Sequence, residues 1–162
     1  MPRRLTFWKS SPCPPAARRR VDRLLDGLHT PDFETLRVEC RQFCASEPPA
    51  ARDILTRRLV RRLLDDVVAR DTVAALLADL APVLMPSVQR CLARPPRSAS
   101  PAERCALLEL LTLTGDPDDP TNYFVLLSVV RRPREHAAVL AGARRALALL
   151  RLAGSHPTAD SP

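Results

Sequence analysis

The chain is predicted to be all-α, a single compact bundle of about six or seven helices behind a disordered basic N-terminal arm. Three observations predict it. Apolar residues recur at spacings of three and four along most of the sequence, which is the period of a one-sided helix. Many of the 17 prolines fall between these stretches, where they can close one helix and open the next. The one run without clear periodicity, 123–130 (YFVLLSVV), has no second strand candidate to pair with and so reads as a buried helix. At 162 residues with 46% apolar composition, the chain is one domain's worth and can bury a single core.

The first stripe is Val21, Leu24, Leu25 and Leu28 within residues 16–29, a short amphipathic helix. Thr30 and Pro31 then offer an N-cap and an N1 proline for a second helix carrying Phe33, Leu36, Val38, Cys40, Phe43 and Cys44, up to Ser46. Residues 50–70 are the most regular candidate. Leu55, Leu59, Leu63 and Val67 make one i+4 row and Val60, Leu64 and Val68 its neighbour, together a wide face directed to the core. Asp71 is placed to cap a fourth helix over 72–81, Pro82 and Pro86 bracket a turn, and a short helix over 86–93 follows.

Residues 94–99 (RPPRSA) are the clearest linker. Ser100, Pro101 and Glu103 then form a capping box with proline at N1, and Gly115 sits at a C′ position, so this helix has the best local signals in the chain. An acidic loop over 116–120 leads to the 123–130 helix, and Pro133 opens a long final helix through Leu152, stopped by Gly154. The domain division is a basic Pro-rich arm over 1–20, a helical domain over 21–154 and a polar tail over 155–162.

The formal net charge of +7 is unevenly placed. Residues 1–21 hold Arg3, Arg4, Lys9, Arg18, Arg19 and Arg20 and no acid, so the remainder is nearly neutral. Phe7 and Trp8 beside these cations suit a membrane interface, and the gap between the two arginine clusters resembles a two-part import signal or an acid-free presequence. Prolines 2, 12, 14 and 15 break the helix that anchoring needs, which favours a plain basic arm. The arm residues Arg3, Arg4, Phe7, Trp8, Lys9, Arg18, Arg19 and Arg20 are therefore candidates for localisation or polyanion contact.

Only one of the 25 basic residues is a lysine, and the chain has 26 Leu, 22 Ala, a single Ile and a single Asn. That is the residue choice of a GC-rich coding sequence, as in a GC-rich bacterium or a large DNA virus.

Arg57, Arg58, Arg61 and Arg62 form a doubled i, i+4 ladder that could face a polyanion, with Asp53, Asp65 and Asp66 one turn away as counter-charges. A solvated face is the preferred reading of the ladder, because aromatic residues for stacking make up only 4%.

Signals for chemistry are missing. There is no phosphate-binding glycine loop, no dinucleotide fingerprint and no nucleophile elbow, and His29, His136 and His156 have no catalytic setting. Cys40 and Cys44 lie one helical turn apart and read as core packing in preference to metal ligands. No catalytic residue, metal or cofactor is assigned. The five cysteines lack a framework spacing and no secretory segment precedes them, so an intracellular, cytoplasmic or nuclear location is expected, without a membrane span. The sequence therefore predicts a non-enzymatic helical module that binds a protein partner, regulatory or accessory in role and with a viral source in view, whose basic arm sets localisation. The alternative is an RNA- or DNA-binding protein using the arm and the ladder, and peripheral membrane contact through the arm is the third option.

Overall fold

The computed structural model describes residues 12–30 and 32–154. Within them the chain is all-helical, as the periodicity predicts. The helices are α1 (Pro15–Asp26), α2 (Phe33–Ser46), α3 (Pro49–Asp65), α4 (Arg70–Ala93), α5 (Pro101–Thr114), α6 (Pro120–Val130) and α7 (Ala137–Gly154), with a 3₁₀ turn over Gly27–His29. Their buried faces join in one contiguous core. Helix α4 is its axis: α2 and α3 pack on it, so do α5 and α6, and α7 closes against α5 and α6. Helix α1 lies on α3.

Arg18, Arg19 and Arg20 belong to α1, so the arm cannot extend to residue 20 as an unstructured tail. Ala17, Val21, Leu24 and Leu25 bury one side of this helix and turn the three arginines outward. Arg20 pairs with Glu47 and its guanidinium lies 5.4 Å from the centre of the Phe43 ring, which fastens α1 to α2. The other arm candidates, Arg3, Arg4, Phe7, Trp8 and Lys9, lie outside the described residues, as do Pro31 and the tail over 155–162.

Several local expectations are corrected. The N-cap of α2 is Asp32, whose carboxylate accepts from the Thr35 N–H (3.0 Å), while the Thr30 hydroxyl donates to the Gly27 carbonyl. The turn expected at Pro82 and Pro86 is absent, because α4 runs through both. The prolines stand one helical turn apart on the exposed side, so the carbonyls that lose their N–H partners face water while the apolar side keeps its packing. Gly115 ends α5 with φ −73°, outside the left-handed region. A Cβ there would meet the Leu111 carbonyl oxygen at 2.4 Å and Asn122 Nδ2 at 3.0 Å, so close approach is what requires glycine. Helix α7 begins at Ala137, after a turn in which Arg134 has φ 61°.

Helix α4 is the one described helix long and apolar enough to cross a membrane, and half of its most apolar stretch is buried in the protein. Polar side chains along its length are engaged as well. Asp79 accepts from Arg41 (2.6 and 3.0 Å) and Arg37 (3.4 Å) of α2, and buried Gln89 donates to Asn122 Oδ1 (2.8 Å) and Asp119 (3.0 Å). The Asn122 amide in turn donates to the Asp116 carbonyl (2.8 Å). The chain's single asparagine thus joins α6 and the acidic loop to α4.

Cys40 and Cys44 are buried in the core, consistent with the packing reading, and Cys13 and Cys91 are buried too. Burial pushes the thiols of Cys40 and Cys91 up to about 12 and that of Cys44 to about 11. Cys105, on α5, is the more accessible one. A thiol-specific reagent at pH 8 should therefore label Cys105 first in the native protein and reach the other four after denaturation; simultaneous labelling of all five in the native state would contradict this burial.

Candidate functional site

The residues of greatest interest lie where α3 ends. Leu55, Leu59 and Val60 direct one side of α3 into the core, and its other side carries the arginine ladder. The apolar row fails to continue as expected. Asp66 leaves helical geometry (φ −106°, ψ 95°), so Val67 and Val68 point outward, 75% and 86% exposed, with Leu64 38% exposed beside them. Two branched apolar side chains in solvent form a small hydrophobic tip.

The tip is braced. Asp66 accepts from the Ala69 N–H (3.1 Å), pairs with Arg62 (3.3 Å) and lies 3.3 Å from His29 Nε2. The Ala69 N–H, with help from His29 and Arg62, holds the Asp66 carboxyl below its usual range. On the other side Arg70 donates to the Leu63 carbonyl (3.2 Å) and the Leu64 carbonyl (3.5 Å), satisfying the open end of α3. The turn that carries the valines is therefore tied by side chains on both sides, by Asp66 within it and by Arg70 at the end of α3.

Next to the tip is a cleft of about 470 Å³ lined by Leu25 of α1, by Arg58, Arg61, Arg62, Asp65 and Asp66, and by Val67 itself. Three of the four ladder arginines thus line it, and all four already have intramolecular partners. Arg57 Nε donates to Glu103 Oε1 (2.9 Å) and Arg61 Nε to Glu103 Oε2 (3.0 Å), so one carboxylate of α5 is shared by two arginines of α3. The same arginines reach the Ser98 hydroxyl and carbonyl in the linker, both at 3.2 Å. Arg58 pairs with Asp22 of α1 and Arg62 with Asp66.

Of the counter-charges expected from helical spacing, only Asp66 serves the ladder from within reach of α3. Asp53 instead takes a bidentate contact from Arg90 of α4 (2.7 to 3.1 Å). By its spacing from Ser100, Glu103 belongs to a capping box. Ser100 Oγ does accept from the Glu103 N–H (3.1 Å), but the Glu103 carboxylate turns to the arginines and is 1% exposed. The ladder is largely an interhelical fastening.

A second buried carboxylate repeats the arrangement. Glu135, whose side chain is 1% exposed, is held by Arg104 of α5 and by Arg132 (2.7 Å), whose other nitrogen donates to the Leu92 and Ala93 carbonyls at the end of α4. Burial pushes Glu135 up, but the His136 N–H and the two guanidinium groups outweigh it and leave the carboxyl below its ordinary 4.5. Burial opposes ionisation of Asp119 too, and hydrogen bonds from Thr121 and Gln89 likewise hold it below 3.8.

A carboxyl whose folded pKa is depressed stabilises the fold fully above its unfolded value, and that contribution is lost as the pH falls through the folded value. The urea midpoint should accordingly hold between pH 7 and 5 and drop once the pH passes below 4.5 and then 3.8. A midpoint at pH 3 equal to that at pH 7 would contradict the pairing.

On α1, Arg18, Arg19 and Arg23 are exposed, and their side chains make no hydrogen bond or ion pair among the described residues. No group of three or more His, Cys, Asp or Glu side chains that could hold a metal stands together among the described residues. Comparison with protein-family models, with curated proteins and with solved structures finds no match to this chain.

Proposed function

We propose that this chain is a non-enzymatic helical interaction module, regulatory or accessory in role, that binds a protein partner at the α3–α4 turn and its cleft. The basic N-terminal segment is the part that sets its location in the cell. One observation carries the reading: the fold holds Val67 and Val68 out in solvent on a turn closed from both sides, beside a hollow with an apolar floor at Leu25. An apolar centre with a charged rim is the usual anatomy of a protein contact, in which a few buried apolar anchors supply most of the affinity.

The test compares the full chain with V67S/V68S in affinity capture from lysate of the native host. Proteins retained by the wild type and lost from the variant, at equal melting temperature, support the reading. Capture of nucleic acid alone, or an identical protein set from both baits, overturns it.

A second reading, polyanion binding, draws on one observation, the three exposed arginines of α1 whose side chains form no ion pair among the described residues, Arg18, Arg19 and Arg23, on a helix that follows an acid-free stretch of sequence. Three phosphate contacts correspond to a slope of about −3 in log affinity against log salt. R18Q/R19Q/R23Q should remove that slope, and a slope unchanged in this variant would reject the assignment to α1.

A further inference from the structure

The interaction reading leaves the occupant of the cleft open, and the chemistry of the patch points to one. We propose that it is a second copy of this chain, in a two-fold contact that seats the Val67–Val68 tip of each copy in the cleft of the other. This inference rests on the interaction reading and adds the identity of the partner.

A two-fold contact applies the same patch to itself, so the patch must be complementary to its own image. Three features meet that condition. The tip and the hollow are neighbours that share Val67, so one rotation can place both tips in both hollows at once. The hollow, about 470 Å³, is larger than a pair of valyl side chains, and Leu25 gives it an apolar floor. Its rim carries both signs.

Arg58, Arg61 and Arg62 each keep about two-fifths of the side chain exposed (39%, 44% and 43%) after making their internal pairs. Asp65 is exposed on the same rim, with no hydrogen bond or ion pair among the described residues. The rotation brings Asp65 of each copy toward the arginines of the other, whereas a rim of one sign would repel its own image. The brace at Asp66 and Arg70 fixes the tip before contact, so little ordering entropy is lost on association.

Tip and cleft make a small contact, below the size of standard stable interfaces, so the dimer is reversible and concentration-dependent. The test is sedimentation equilibrium of the full chain, from about 1 to about 200 µM, the span suited to a transient interface. The wild type should rise from the 17.9 kDa monomer toward twice that mass. V67D/V68D should weaken association by at least about tenfold. D65R should weaken it as well, and both variants should keep the wild-type melting temperature.

A wild type that stays monomeric over the whole range, or a dimer untouched by V67D/V68D, overturns the proposal. If the chain is monomeric while capture of another protein still depends on Val67 and Val68, only the second-copy assignment falls. If that capture also fails, the interaction reading falls with it.

Discussion

Replacing Arg57 and Arg61 together with glutamine should destabilise the protein by about 3–5 kcal/mol, the usual cost of leaving a buried charge without its partners. Glu103 is 1% exposed and takes its ion pairs from these two residues, so α5 would carry an uncompensated carboxylate against α3. The single changes should cost less, because the remaining guanidinium still holds one oxygen. Converting all three residues to apolar ones of similar volume, R57M/R61M/E103M, should recover most of the loss, since the desolvation penalty disappears with the charges. Urea unfolding followed by circular dichroism measures all four. A double variant as stable as the wild type would mean that the arginines face solvent and leave Glu103 to other partners.

The second large effect is expected at Phe43. It is completely buried, and Phe43→Ala should cost about 3–5 kcal/mol through lost transfer energy and the cavity left behind. Part of that loss should appear in α1, because Arg20 lies against the ring and pairs with Glu47. Amide exchange in residues 17–25 should accelerate more than in α7, which has no part in this cluster. Arg20→Gln removes the cation contact and the Glu47 ion pair, both at an exposed site, and should cost about 0.5–1 kcal/mol. Equal protection of α1 in Phe43→Ala and wild type would show that α1 is held by other contacts.

Periodicity located the helices because burial of one face is a local property of spacing, and capping made α5 legible to its first residue. The errors have a common cause. Pro82 and Pro86 carry a local rule, that proline ends a helix, and packing on α4 overrides it since both prolines can face water. Val67 and Val68 continue the i+4 rows of α3 in sequence, yet the helix ends at Asp65, and nothing in the spacing marks that the Asp66 carboxylate accepts from the Ala69 N–H in the turn.

The candidate site therefore arises at the point where pattern and structure part. The ladder was visible as a pattern, but its partners were not. Glu103 lies 46 residues from Arg57 and Asp22 lies 36 from Arg58, so only the tertiary fold brings them together. The same holds for Asp53, which has an arginine one turn away on its own helix and binds Arg90 of α4 instead. Gln89 and Asn122 carried no sequence signal beyond the rarity of asparagine in this chain.

These pairings change what the arginine content says. The ladder that could have been a polyanion surface has its partners within the chain, and the face we propose for a protein partner is the short apolar turn beside it. The most direct measurement of that claim is photo-crosslinking from position 68 in the full chain, set against the same probe at exposed Ala102 on α5. A discrete protein adduct is expected from position 68, at the mass of two chains when the purified protein is irradiated, and none from position 102. Adducts to nucleic acid alone, or the same products from both positions, would contradict it.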